Sequence, residues 1–127
     1  MYKKILFGVI GIALLTVLFA ACNIVDASNL ASGPQVKMGG SDFIQHSVTI
    51  KKGETITLVD TVSAPHIITN GTWQDGTAKA AKEAGAPTVN LNFVGSDTKP
   101  TPAFTTAGTF QLYCTIHGGM NLTVTVQ

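Results

Sequence analysis

The sequence predicts an all-β domain, a Greek-key β-sandwich of about seven or eight short strands with one short helix. Three observations carry this. Apolar and polar residues alternate in short runs along the second half and again near Val48–Leu58. Gly, Pro, Asn-Gly and Asp-Gly turn signals separate those runs. Beyond the N-terminal segment, a single short stretch has helical composition.

The elements follow in chain order. Tyr2-Lys3-Lys4 is a short positive stretch, followed from Ile5 to Ala21 by 17 apolar or small residues. At that length a signal peptide and a membrane-spanning helix overlap. Phe19-Ala20-Ala21-Cys22 resembles a bacterial lipobox, although Phe19 stands where Leu is usual. On that reading residues 1–21 are a signal peptide, and Cys22 becomes a lipid-modified N-terminus. The alternative is an uncleaved N-terminal membrane helix with an incidental Cys22. Either way the domain is expected outside the cytoplasm, tethered to the outer face of the cell membrane. Residues 22–34 are small and polar and read as a flexible tether. The domain itself is expected over residues 35–127.

Within it, Val48 and Ile50, then Ile56 and Leu58, mark two strands around the turn Lys51-Lys52-Gly53-Glu54. Asn70-Gly71 and Asp75-Gly76 punctuate the middle. Thr77 to Ala84 (TAKAAKEA) is the expected helix, closed by Gly85 with Pro87 following. Thr101 to Thr105 is a short β-prone piece. Phe110, Leu112 and Cys114 share one face of a strand, as do Leu122, Val124 and Val126, with His117-Gly118-Gly119 turning between them.

Composition removes several function classes. The chain has 127 residues, eight Lys, no Arg and seven acidic residues, a net charge of +1. That leaves no basic footprint for nucleic acid and no polybasic patch for anionic lipid. Two Cys and three His exclude a disulfide scaffold and multi-zinc modules. If Cys22 is lipidated, Cys114 is the one free thiol of an exported chain, and it needs a reason to be there.

The reason is a constellation. Tyr113-Cys114-Thr115-Ile116-His117-Gly118-Gly119-Met120 sets a thiol, an imidazole and a thioether at C-x2-H-x2-M spacing, with Cys114 pointing inward at a strand end. A second imidazole, His66, follows Pro65. Thiolate, two imidazoles and a weak axial thioether form the ligand set of blue-copper electron-transfer sites. One copper per chain on His66, Cys114, His117 and Met120 is therefore expected. Taken singly, each residue reads as an ordinary core or surface position; the combination points to copper. His46 reads as a surface residue, Met38 as packing or rimming the site, and Trp73 as a loop anchor.

From Val36 to Gln127 the sequence resembles the cupredoxins, the small blue copper proteins of the plastocyanin–amicyanin group. The shared features are Met38-Gly39-Gly40-Ser41-Asp42-Phe43, VTIKKGETITLVD, Pro65-His66 and FTTAGTFQLYCTIHGGMNLTVTVQ. The short Cys-to-His-to-Met loop is similar to that of amicyanin, and a lipid-anchored form resembles the membrane-tethered, auracyanin-like members. The resemblance implies one-electron shuttling between redox proteins such as cytochromes or membrane-bound oxidoreductase complexes. It gives His117 the part of electron port, and a monomer is expected. Ile67 departs from the Asn that many members carry directly after the first His.

No enzyme is expected. A Cys–His nucleophile would need an exposed thiolate and an orienting acid, and three His cannot build the extra centres of multicopper oxidases or nitrite reductases. The alternative to an electron carrier is a copper-delivery lipoprotein without redox turnover. Such proteins more often present Met-rich or dithiol sites.

Overall fold

The structure is a computed structural model and describes residues 33–127. The expectations for the leader, for Cys22 and for the tether up to Ser32 lie outside the described residues. Among the described residues, nine strands form two sheets.

The first sheet holds β1 (Gln35–Met38), β3 (Thr57–Asp60) and β7 (Thr98–Pro100) in the order β1-β3-β7. The second runs β2 (Ser47–Ile50), β9 (Asn121–Val126), β8 (Gly108–Cys114), β4 (His66–Gln74) and β5 (Thr77–Ala80), with β6 (Asn90–Phe93) also on β4. β1 pairs with β3, and β2 with β9, in parallel. The Lys51–Glu54 turn therefore carries the chain from one sheet to the other and does not close a hairpin. The architecture is the expected Greek-key sandwich.

Period-two burial builds the core between the sheets. Val36, Met38 and Leu58 face inward from the first sheet, and Ile50, Ile68, Phe93, Phe110, Leu112, Leu122, Val124 and Val126 from the second. Phe43 and Phe104, carried on connections, are buried at 1% and 0% exposure and belong to the same core. Each such side chain contributes about 1.5–3 kcal/mol through burial.

Two expectations need correction. Thr77 to Ala84 is not a helix, and no helix occurs among the described residues. Asp75 and Gly76 both adopt positive φ, 50° and 74°. That two-residue primed turn folds Thr77–Ala80 back on Gly71–Gln74 as an antiparallel hairpin. Eight residues without an apolar face could not sustain a helix against it. Thr101 to Thr105 is likewise irregular, with Pro102 interrupting the donors. It is held by main-chain bonds, Thr101 N–H to Ile56, Phe104 N–H to Glu54 and Gly53 N–H to Phe104, and by the Thr101 hydroxyl, which accepts from Ile56 N–H.

β4 changes partners along its length, and this matters for the site. Its first half lies between β6 and β8, and from Gly71 onward it pairs with β5. At Gly71 φ is +132°, and an added Cβ would sit 2.3 Å from the Lys79 carbonyl and 2.7 Å from the Tyr113 ring. Only glycine permits this bend. It swings the β4–β5 ribbon across the outer face of the β8–β9 hairpin, so that Tyr113, on the face opposite Cys114, is only 4% exposed.

Candidate metal centre

Three of the four expected ligands meet at one end of the sandwich. His66, Cys114 and His117 bring Nδ1, Sγ and Nδ1 within 4.8 Å of one another. Cys114 Sγ lies 3.8 Å from His66 Nδ1 and 3.5 Å from His117 Nδ1, and the two imidazole rings meet edge to face, 4.9 Å between centroids. A first-row ion with sulfur at about 2.3 Å and imidazole nitrogen at about 2.0 Å in a trigonal plane sets S···N near 3.7 Å. The two observed separations bracket that value, so the donor set fits copper in both chemistry and spacing.

Each ligand is fixed by its backbone. His66 opens β4 and is fully buried; its Nε2–H donates to the Gly39 carbonyl at 2.9 Å. A carbonyl can only accept, so this bond places the proton on Nε2 and leaves the Nδ1 lone pair facing Cys114. Burial pushes the His66 pKa below 6.5, against the opposing pull of the Gly39 carbonyl and Asp60. The imidazole is thus held in its ligating, neutral form.

Cys114 ends β8, fully buried on the same face as Phe110 and Leu112. Its N–H donates to the Met120 carbonyl at 3.0 Å, and Thr115 N–H donates to Ile67 at 2.9 Å. The ligand turn is therefore tied to β9 on one side and to β4 on the other. Ile67, at the position where the resemblance leads one to expect Asn, joins the site through its main-chain carbonyl. Met120 is fully buried, and its N–H donates to the His117 carbonyl at 3.3 Å. Gly119 at φ 79° permits this tight return. His117 itself is half-buried between exposed Ile116 and Gly118.

Trp73 has more to do than anchor a loop. From the ribbon over the outer face, its indole Nε1–H donates to the Cys114 carbonyl at 2.7 Å, and its ring meets Tyr113 edge-on at 6.3 Å. Its main-chain N–H and C=O are both taken by the Asn121 side chain, at 2.7 and 3.0 Å. Cys114 and Asn121 flank the ligand turn, so one residue holds both of its ends. None of Gly39, Trp73 and Asn121 carried a sequence signal for these contacts, since each acts across 27 to 48 residues of chain.

The remaining expected positions fall as follows. Met38 is fully buried in the core. His46 is exposed, pairs with Asp42 at 3.1 Å and is not part of the His66–Cys114–His117 group. Asp60, next to His66, was not singled out by the sequence.

Comparison with known proteins agrees with this geometry. The family described as "Copper binding proteins, plastocyanin/azurin family" matches residues 32–127. A plastocyanin from Ulva prolifera is 30% identical over 98 residues, covering 72% of this chain and 97% of that protein. Amicyanin from Paracoccus versutus superposes with a TM-score of 0.58 at 23% identity, covering 76% of this chain and 83% of that one. A copper-containing nitrite reductase from Thermus scotoductus shares the fold at TM-score 0.57 and 18% identity, with 73% of this chain matching 22% of that larger one.

Proposed function

The chain belongs to the plastocyanin/azurin family of copper-binding proteins, and on that premise we propose that it is a type 1 copper electron carrier, with His66, Cys114, His117 and Met120 as its ligands. The observation that carries the proposal is the buried Cys114 Sγ flanked by two Nδ1 atoms at 3.5 and 3.8 Å. Copper held there supplies a one-electron couple between its two oxidation states.

The chain's own residues provide a site that need not rearrange. Soft sulfur suits the reduced ion and imidazole the oxidised one, so a His2Cys set with a distant thioether serves both. The His66–Gly39 bond, the paired backbone of Cys114 and Thr115, and the Trp73 clamp keep the donors in place. Packed surroundings resist the movement that would otherwise slow electron exchange.

His117, half-buried, is the edge through which an electron passes. The exposed large apolar side chains among the described residues, Ile44, Val62, Val94 and Ile116, sit on segments close in chain or in pairing to the ligands and their partners. Ile116 precedes His117 in the turn, and Ile44 adjoins Gly39. Val62 follows Asp60 by two residues, and Val94 follows Phe93, the β6 partner of His66. This end is suited to docking redox proteins such as cytochromes or membrane-bound oxidoreductases through apolar contact, with the chain acting as a monomer. The outer face of the membrane, with Cys22 as lipid anchor, is the proposed location.

The test is a visible absorption and electron paramagnetic resonance spectrum of the full chain in detergent after Cu(II) addition. An intense thiolate-to-copper band with narrow hyperfine splitting, bleached by ascorbate and restored by oxidant, is expected. Cys114→Ser should abolish the band and leave the β-rich circular dichroism unchanged. A colourless protein that binds Cu(I) alone would point to copper delivery and refute the carrier.

A further inference from the structure

Four polar or charged side chains are buried among the described residues: Asp60, His66, Asn70 and Thr101. Three have their partners. Thr101 Oγ1 accepts from Ile56 N–H, Asn70 bonds Pro87 and Val89, and His66 bonds Gly39 while presenting Nδ1 to the metal centre. Asp60 is different. Its side chain is fully buried, Oδ1 accepts one N–H, from Val62 at 3.1 Å, and Oδ2 has no hydrogen-bond partner.

A buried carboxylate in that state is costly unless a cation compensates it. The chain has no Arg. Lys99, on the neighbouring β7, is engaged with Asp97 at 3.8 Å and with the Asn92 carbonyl. Among the described residues, the cation-forming group near Asp60 is His66, whose Nε2 lies 4.0 Å from Oδ1 with its proton committed to Gly39. The imidazole is neutral in this arrangement. Positive charge reaches Asp60 when a metal ion occupies the opposite ring nitrogen, as in other carboxylate–histidine–metal relays.

We propose that Asp60 is a positioning residue of the metal centre, a buried counter-charge that acts through His66 and favours the more highly charged state of the bound ion. This rests on the copper-site reading above. It sets a direction: the carboxylate strengthens binding of Cu(II) more than of Cu(I), and so holds the reduction potential down. It also explains why an acid is kept where a neutral amide of equal size would cost the metal-free fold less.

The experiment compares the full chain with Asp60→Asn, which keeps shape and the acceptor for Val62 N–H but removes the charge. Three quantities are measured: midpoint potential by protein-film voltammetry, Co(II) dissociation constant by titration, and the metal-free melting temperature. Removing a unit charge about 8 Å away at an effective dielectric near 20–40 lowers the Cu(II)-over-Cu(I) affinity ratio roughly 6- to 30-fold. Tenfold is a rise of about 59 mV for one electron. Co(II) binding should weaken by about 10- to 100-fold, while the metal-free melting temperature holds or rises. Asp60→Ser, which removes the charge with a different side chain, must move the potential the same way.

A potential that stays put or falls in both variants, with copper still bound and blue, overturns the role of Asp60 and leaves the carrier reading intact. Loss of the metal-free fold in both makes Asp60 structural and overturns it equally. If the parent chain binds no copper, the carrier reading fails first, and this inference with it.

Discussion

Replacing Trp73 by Phe isolates one part of the clamp on the ligand turn. The substitution removes the indole N–H that reaches the Cys114 carbonyl at 2.7 Å, and it keeps an aromatic ring against Tyr113. The main-chain bonds to Asn121 are untouched. Cys114 is fully buried, so its carbonyl has no solvent to turn to. An orphaned buried acceptor costs about 1–3 kcal/mol. In urea unfolding of the metal-free chain, with a slope of about 1–3 kcal/mol/M for a domain of this size, the midpoint should fall by about 1 M. Asn121→Ala removes the two bonds from the other side, at 2.7 and 3.0 Å. If both hold one ribbon on one turn, the double variant loses less than the two singles together, by at least ~0.5 kcal/mol. A Trp73→Phe variant with the parental midpoint, or a strictly additive pair, would refute the clamp.

Three further outcomes are expected. Met120→Gln should keep copper but lower the potential in voltammetry, since a harder axial donor favours Cu(II); an equal or higher value would remove Met120 from the ligand set. Gly71→Ala forces a Cβ to 2.3 Å from the Lys79 carbonyl at φ +132°. It should cost more than ~3 kcal/mol through strain and overpacking, read as a fall in melting temperature of over about 12 °C. The metal-free chain should lose stability on acidification. His66 binds its proton below its ordinary 6.5 when folded and at that value when unfolded, so the unfolded state takes up the extra proton as pH falls through 6.5. The melting temperature should therefore drop from pH 7.5 to pH 5 and be flat above 7 as far as this group is concerned. His66→Gln should remove that part of the slope.

Much of the sandwich was legible because burial enforces period two. β8 and β9 read directly from Phe110, Leu112 and Cys114 and from Leu122, Val124 and Val126, and all six are buried. The ligands were legible for a related reason: three lie within seven residues of chain, so their chemistry shows as spacing. What stayed hidden was long-range. TAKAAKEA has a composition that suits a helix, and the Asp75-Gly76 turn that makes half of it a strand gains its weight from Gly71–Gln74 across the hairpin. Asp60 belongs visibly to an alternating strand, yet its nearness to His66 comes from the β3–β4 connection folding back. Trp73 and Cys114 meet only because Gly71 bends β4 over the outer face.

The ligand geometry also has a topological consequence. Cys114 lies 48 residues beyond His66, with β5, β6 and β7 strung between them. An ion gripped by both ends is a cross-link that closes this loop. For a disulfide closing a loop of that length, the chain-entropy scale is about 4 kcal/mol. A metal link differs in being removable. Withdrawing the ion gives the unfolded chain back its freedom, so the domain's lifetime against proteases tracks its occupancy.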